Sequence, residues 1–74
     1  MSLAAKKGDP VGPRELQVLR ELADGSMQAE VADRLNISMS TVRNTLYNVY
    51  LKLGVHSLIE AYYVLGWIKF EETP

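Results

Sequence analysis

The chain has 74 residues, 47% of them hydrophobic, and a formal net charge of −1. This composition is that of one small globular domain and excludes a disordered chain or a generic polyanion binder. The lack of cysteine excludes disulfides and thiolate metal sites, and no apolar run reaches the roughly 20 residues of a membrane span. We therefore expect a cytoplasmic protein with no membrane partner.

The charges are unevenly distributed along the chain. No acid lies between Asp33 and Glu60. The same interval contains three basic residues and the single histidine, namely Arg34, Arg43, Lys52 and His56. A locally positive surface is therefore expected on a molecule that is nearly neutral overall.

The ends of the chain differ in composition from its middle. Residues 1–11 are rich in small and charged side chains and are predicted to form a flexible leader, which an expression vector could have supplied. A single domain is predicted over residues 12–70, followed by a short tail over 71–74. The chain could also be a fragment of a larger protein.

Two helices are predicted in the first half. Pro13 at the first helical position and Glu15 at the third favour a start, and Gly25 favours a stop, so helix 1 is predicted over 13–24. A second, shorter apolar stripe predicts helix 2 over 27–35, with no clear capping side chain at its start.

Helix 3 is predicted to begin after a four-residue break. Ser38 is suited to cap its first turn, and Gly54 is suited to end it in the left-handed conformation after Leu53. The order of helix 2, a short break and helix 3 is typical of a helix-turn-helix, in which the second helix reads DNA.

Helix 4 has the clearest start signal. Ser57 and Glu60 form a capping box, which predicts a helix over 58–65 that ends at Gly66. An apolar tail is predicted to fold back on the core through Trp67, Ile68 and Phe70. Because no stretch alternates with period two, the sequence predicts an all-α domain of four helices.

The two faces of helix 3 have different chemistry. One arc is apolar and is predicted to face the core, with Val42, Leu46, Val49, Tyr50 and Leu53. The opposite arc carries Ser40, Arg43, Asn44, Tyr47, Asn48 and Leu51. A face that only contacts water would favour Glu and Lys pairs, whereas Arg and Asn can fork onto guanine and adenine in the major groove. DNA reading is therefore the favoured interpretation, and a merely solvated face is the alternative.

The same residues resemble the LuxR-type (LuxR/FixJ) C-terminal DNA-binding domain. The resemblance covers about Val11 to Ala61 in unbroken register. Its most specific parts are Arg14-Glu15, Val18-Leu19, Ala32 with Leu35, Ile37-Ser38, Thr41-Val42-Arg43, Leu53-Gly54-Val55 and Ser57 with Glu60-Ala61. The resemblance implies a four-helix domain that recognises DNA through helix 3, forms a dimer through helix 4 and regulates transcription. It also implies the output domain of a larger response regulator or ligand-sensing regulator, in which an upstream receiver or sensing domain controls DNA binding.

Carried over by position, the resemblance also implies a set of functional residues. The base-reading positions fall on Arg43, Asn44 and Tyr47. Phosphate contacts fall near Ser38, Thr41, Asn48 and Lys52. Ser40 joins this predicted set because the start of helix 3 directs amide groups outward, where its hydroxyl can help to hold a phosphate. The dimer interface falls on helix 4, with Leu58, Ile59, Tyr62 and Tyr63, and at least one of the two adjacent tyrosines must lie at a surface. Double-stranded DNA, a second copy of the chain and RNA polymerase are the implied partners.

Several residues depart from the family pattern. Ala29, Leu51 and Leu58 stand where basic residues are common, Thr45 replaces a common histidine, and Met27 replaces a serine cap. Weak non-specific affinity and a shallow salt dependence are expected from the missing phosphate contacts.

An enzyme is not expected. There is no cysteine, no second histidine for a metal pair and no Gly-rich phosphate loop, so no catalytic residue, metal or cofactor is predicted. His56 is interpreted as a solvated or phosphate-neighbouring residue. The alternative from another class is a protein-interaction module with the same fold and reduced DNA binding, which Ala29, Leu51 and Leu58 favour.

Overall fold

The computed structural model describes residues 5–69. Within this part of the chain there are four helices and no strand: α1 is Pro13–Ala23, α2 is Gln28–Leu35, α3 is Met39–Leu53 and α4 is Leu58–Val64. The predicted all-α fold is confirmed. The ends of α1 and α4 and the start of α2 each differ by one residue from the predicted limits.

Glutamates at the third position start the first two helices. The Gly12 amide donates to Glu15 Oε1 at 2.8 Å, and the Met27 amide donates to Glu30 Oε1 at 2.8 Å. Neither helix has a hydrogen bond from a capping side chain. The carboxylates therefore satisfy one exposed amide each and complement the positive end of the helix dipole.

The connection between α2 and α3 is one residue shorter than predicted. It comprises residues 36–38, and Asn36 adopts the left-handed conformation at φ 56°. Asparagine tolerates this region better than most residues, which permits the sharp turn. At the other end of α3, Gly54 is left-handed at φ 69°, as predicted.

The capping box of α4 differs from the prediction in one of its two bonds. The Glu60 amide donates to Ser57 Oγ at 3.3 Å, as expected. The Glu60 carboxylate, however, accepts from the His56 amide at 2.7 Å and not from Ser57. The extended Ser57 backbone brings the preceding amide within reach, so the carboxylate holds the loop as well as the helix.

The core lies where α1, α2 and α3 meet, closed at one end by α4. Its buried members come from all four helices: Val18, Leu19, Leu22, Val31, Ala32, Val42, Leu46, Val49 and Ala61. Of the predicted core stripe of α3, three residues are buried, while Tyr50 and Leu53 are half-buried and pack against the cluster. The core-facing arc of α3 is thus confirmed, which leaves the opposite arc to solvent.

Tyr62 attaches α4 to α1. Its hydroxyl donates to the Leu19 carbonyl at 2.7 Å, and its ring stacks on Trp67 with centroids 5.6 Å apart. The Arg20 guanidinium lies 5.8 Å from the centre of the Trp67 ring. Trp67 therefore folds back on the helices as predicted, while Phe70 lies outside the described residues.

Removing the Tyr62 hydroxyl should lower the free energy of unfolding at neutral pH. It should also make the decrease in stability at alkaline pH smaller. Burial, followed by the charges of Tyr50 and Asp24, raises the pKa of Tyr62 above its usual 10.0. The protonated hydroxyl therefore makes its full contribution to stability below pH 10, and this contribution is lost as pH rises through the pKa of the folded state. We expect Tyr62→Phe to cost about 1 kcal/mol at neutral pH and to flatten the alkaline fall.

Urea unfolding measured from neutral pH upward tests this expectation. Tyr47→Phe is the control because Tyr47 is 63% exposed. Tyr50 remains in both variants, and burial raises its pKa as well, so some alkaline dependence should persist. An alkaline fall in Tyr62→Phe as steep as that of the parent would contradict the role of this proton.

The described part of the predicted leader contacts the domain. Lys6 and Asp9 form a turn, with the Lys6 amide 2.9 Å from Asp9 Oδ2 and the Asp9 amide 3.0 Å from the Lys6 carbonyl. The Gly8 amide donates to the Lys52 carbonyl at 2.9 Å, and Val11 packs against the core. This turn therefore lies at the C-terminal end of α3.

Candidate nucleic-acid interface

The outer arc of α3 forms a continuous exposed face. Arg43, Asn44 and Tyr47, the predicted base readers, are all exposed and lie within about one turn of each other. Asn48 is half-buried beside them. The 15 residues of α3 span about 22 Å, which is long enough to lie in a major groove.

The N-terminal end of α3 presents hydroxyl groups. Ser38 Oγ accepts from the Thr41 amide at 3.1 Å and lies 2.9 Å from Thr41 Oγ1. Because one hydroxyl donates to the other, one hydroxyl hydrogen remains available to a ligand, and exposed Ser40 lies between them in the chain. The first turn contains no acid, so nothing there repels a phosphate.

Lys52 forms a largely buried ion pair within the domain, which the sequence did not predict. Its Nζ lies 2.7 Å from Glu15 Oε1, and the two side chains are only 18% and 16% exposed. The same carboxylate oxygen accepts from the Gly12 amide. Lys52 therefore joins the end of α3 to the start of α1, and its ammonium must leave Glu15 before it can reach a phosphate.

The charge of Arg34 is also neutralised, by Glu21, which precedes the acid-free interval between Asp33 and Glu60. Its Nε lies 3.1 Å from Glu21 Oε1, and its NH2 group donates to Ser26 Oγ at 2.6 Å. Ser26 donates in turn to Asp24 through its hydroxyl, at 2.6 Å, and its amide. These two bonds from Ser26, in that order, lower the pKa of the Asp24 carboxyl.

The positive surface is consequently narrower than the sequence indicates. Among the described residues, Arg43 forms no ion pair, whereas Lys52 and Arg34 each have one. His56 lies 3.9 Å from Glu60 and is 94% exposed. Arg43 is thus the exposed basic side chain of α3 that no acid among the described residues neutralises.

The outer face of α4 contains only part of the predicted dimer set. Ile59 is 65% and Tyr63 is 45% exposed. Leu58 and Tyr62 are half-buried and pack against the core of their own chain. Val64, which the sequence reasoning missed, is 58% exposed and lines one concavity together with Ile59 and Tyr63.

Lys7 is a second residue that sequence reasoning missed. Its side chain lies against Gly54, where an added Cβ would meet Lys7 Cε at 2.8 Å. It lines an open concavity of about 490 Å³ together with Tyr47, Tyr50, Leu51, Gly54, Val55 and His56. No local pattern signals this contact because the two segments are far apart in the chain.

The described residues contain no group of three or more His, Asp or Glu side chains that could hold a metal ion. None of the helices in residues 5–69 is long and apolar enough to cross a bilayer.

The family of this sequence follows from a match over most of its length. Residues 9–65 match the profile of the bacterial regulatory proteins of the luxR family. The chain belongs to the luxR family. This membership confirms the resemblance, the helix-turn-helix fold and the prediction of a DNA-binding domain from a family of bacterial regulatory proteins.

Individual luxR-family proteins are similar over the same region. The Fimbriae Z protein of Salmonella typhimurium is 41% identical over 51 residues, covering 69% of this chain and 24% of that protein. The transcriptional regulatory protein UhpA of the same organism is 38% identical over 69 residues, covering 90% and 35%. The transcriptional regulatory protein DesR of Bacillus subtilis is 40% identical over 55 residues, covering 74% and 28%.

The chain thus spans about a quarter to a third of the length of these relatives. No solved structure gives a significant match.

Proposed function

We propose that this luxR-family chain is the output domain of a larger regulator and that it binds specific double-stranded DNA sequences to control transcription. The observation that carries the proposal is the acid-free outer face of α3, where exposed Arg43 and Asn44 follow a tight helix-turn-helix connection. The relatives support it, because two of those compared are transcriptional regulatory proteins more than twice as long as this chain.

In this proposal α3 lies in the major groove. Arg43 forks onto guanine O6 and N7, Asn44 onto adenine N6 and N7, and Tyr47 contacts the adjoining base edge. The hydroxyls and amides at the start of α3 hold the backbone. The phosphate set is Ser38, Ser40, Thr41 and Asn48, which Lys52 joins by releasing Glu15.

The proposal is tested by selecting bound sites from a random duplex library, followed by a salt titration. A recovered consensus and a counterion-release slope are the expected results. The rival function is a protein-interaction module, which the exposed apolar side chains Met27 and Leu51 favour. Absence of duplex binding even at low salt would reject DNA binding and favour this rival.

The Lys52 contact gives a separate prediction. Lys52→Ala should weaken binding to all sequences alike and lower the salt slope by about one, because one phosphate contact is lost. It should also cost about 1 kcal/mol of stability through loss of the Glu15 pair.

Glu15→Gln is the matched variant, since it breaks the same pair but keeps the ammonium. We expect its salt slope to remain at least as steep as that of the parent. An unchanged slope in Lys52→Ala, together with lost stability, would make this lysine a structural residue only.

We further propose that two copies associate through the outer face of α4. In this proposal the protein acts in the cytoplasm, and its other partners are double-stranded DNA and RNA polymerase. Ile59 and Val64 provide exposed apolar surface that a two-fold contact would bury. Ile59→Arg should therefore abolish dimers on DNA without unfolding the domain, as measured by sedimentation and circular dichroism. Arg20→Ala is the control on another surface, and dimers that survive Ile59→Arg would exclude this face.

A further inference from the structure

The outer face of α3 changes chemistry along its length. Its N-terminal half presents Ser40, Arg43 and Asn44, whereas its C-terminal half presents Tyr47 and Leu51, which are 63% and 37% exposed. Leu51 follows Asn44 by seven residues and so lies about 20° from it around the helix. Leu51 is therefore in the middle of the proposed reading face and not at its edge.

The surroundings of Leu51 form an open concavity that is mainly apolar. Tyr47, Leu51 and Val55 line it, and Lys7 and His56 are its polar lining residues. Gly54 lets Lys7 approach closely, because an added Cβ there would lie 2.8 Å from Lys7 Cε and displace that flexible side chain. An apolar centre next to positive charge suits a ligand that combines an apolar group with phosphates.

A lone exposed leucine on a protein surface is common and needs no function. Two observations separate Leu51 from that case. It lies one turn after Tyr47 on the same stripe, so the apolar surface is shared, and it continues a face whose other half suits base edges. The thymine C5 methyl is the apolar group that base pairs present in the major groove.

We propose that Leu51, together with Tyr47, contacts thymine methyl groups and so determines part of the sequence specificity. This inference rests on the proposed function and deepens it. Leu51 lies about 10.5 Å along the helix axis from Asn44, or about three base pairs at 3.4 Å each if α3 follows the groove. The selected site should thus contain thymine about three base pairs from the adenine that Asn44 contacts.

Uracil substitution tests this contact, because it removes only the methyl group from thymine. Each thymine of the selected duplex is replaced in turn by deoxyuridine, and binding of the full chain is measured. For the parent we expect about a fourfold loss of affinity per contacted methyl and an unchanged salt slope, since no charge is removed.

The matched variants locate the effect at Leu51. In Leu51→Ala the ratio of thymine to uracil affinity should fall to about one at that position, whereas Asn44→Ala should keep the parent ratio. Because the ratio is taken within each variant, a general loss of affinity cancels. If the alanine variant does not fold, Leu51→Val replaces it, and its ratio of thymine to uracil affinity should lie between one and the parent value.

The outcomes distinguish this inference from the function on which it rests. Binding of a consensus site with no uracil-sensitive position overturns the methyl contact and leaves DNA recognition standing. A uracil effect of equal size in the parent and Leu51→Ala assigns the contact to another residue and overturns the role of Leu51. Failure to bind any duplex rejects both.

Discussion

Arg43→Ala should lower specific binding by about 1–3 kcal/mol and relax the preference at one base pair. Arg43 forms no ion pair among the described residues and lies on the exposed arc of α3, so its guanidinium is free to fork onto a guanine. Binding to the selected duplex, to the same duplex with that guanine replaced and to random duplex gives the measurement.

Arg20→Ala is the matched control because it removes the same charge from α1, beside Trp67 and away from α3. It should leave sequence preference unchanged. If Arg43→Ala instead weakens the selected and the random duplex equally, the arginine contacts phosphate and reads no base.

Leu19→Ala should destabilise the domain by about 2–5 kcal/mol. Leu19 is fully buried among side chains from all four helices, so its truncation leaves a cavity that a small core cannot refill. The total stability expected for a domain of this size is itself about 5 kcal/mol. Only about 0–3 kcal/mol would remain, so a much lower urea midpoint is expected by circular dichroism.

Leu51→Ala is the control for this experiment. Leu51 is 37% exposed and faces away from the core, so the same truncation should cost less than about 1 kcal/mol. A Leu19→Ala variant with the urea midpoint of Leu51→Ala would show that the core can collapse around the lost side chain.

The helices and their faces could be predicted because their signals are local. Ser38 and Gly54 limit α3 through the conformations of their own backbone and the amides next to them. The core stripe of α3 follows from a period that one helix imposes on its own sequence. The same helical period places the remaining side chains of α3 on the opposite arc, so the chemistry of the outer face could also be predicted.

The electrostatics of the site could not be predicted in the same way. The acid-free interval indicated a locally positive surface that included Arg34 and Lys52, but Arg34 is paired with Glu21 and Lys52 with Glu15. The second pair joins residues 37 positions apart. Such pairs depend on which helix ends meet in space, and no spacing along the chain encodes that.

Two adjacent residues of α4 also show what the sequence can determine and what requires the tertiary structure. The sequence placed at least one of two adjacent tyrosines at a surface but did not determine which one. The tertiary structure decides it, because the Tyr62 hydroxyl reaches the Leu19 carbonyl, 43 residues away, while Tyr63 is 45% exposed.

The sequence alone therefore determined four helices, their limits to within a residue and the face of α3 that avoids the core. The tertiary structure decided which charges remain unpaired on that face and that Lys7 lies against Gly54 and lines one concavity with Leu51. The physical reason is that helix limits and amphipathic faces depend on neighbours within a few residues, whereas ion pairs and concavities depend on how the helices pack.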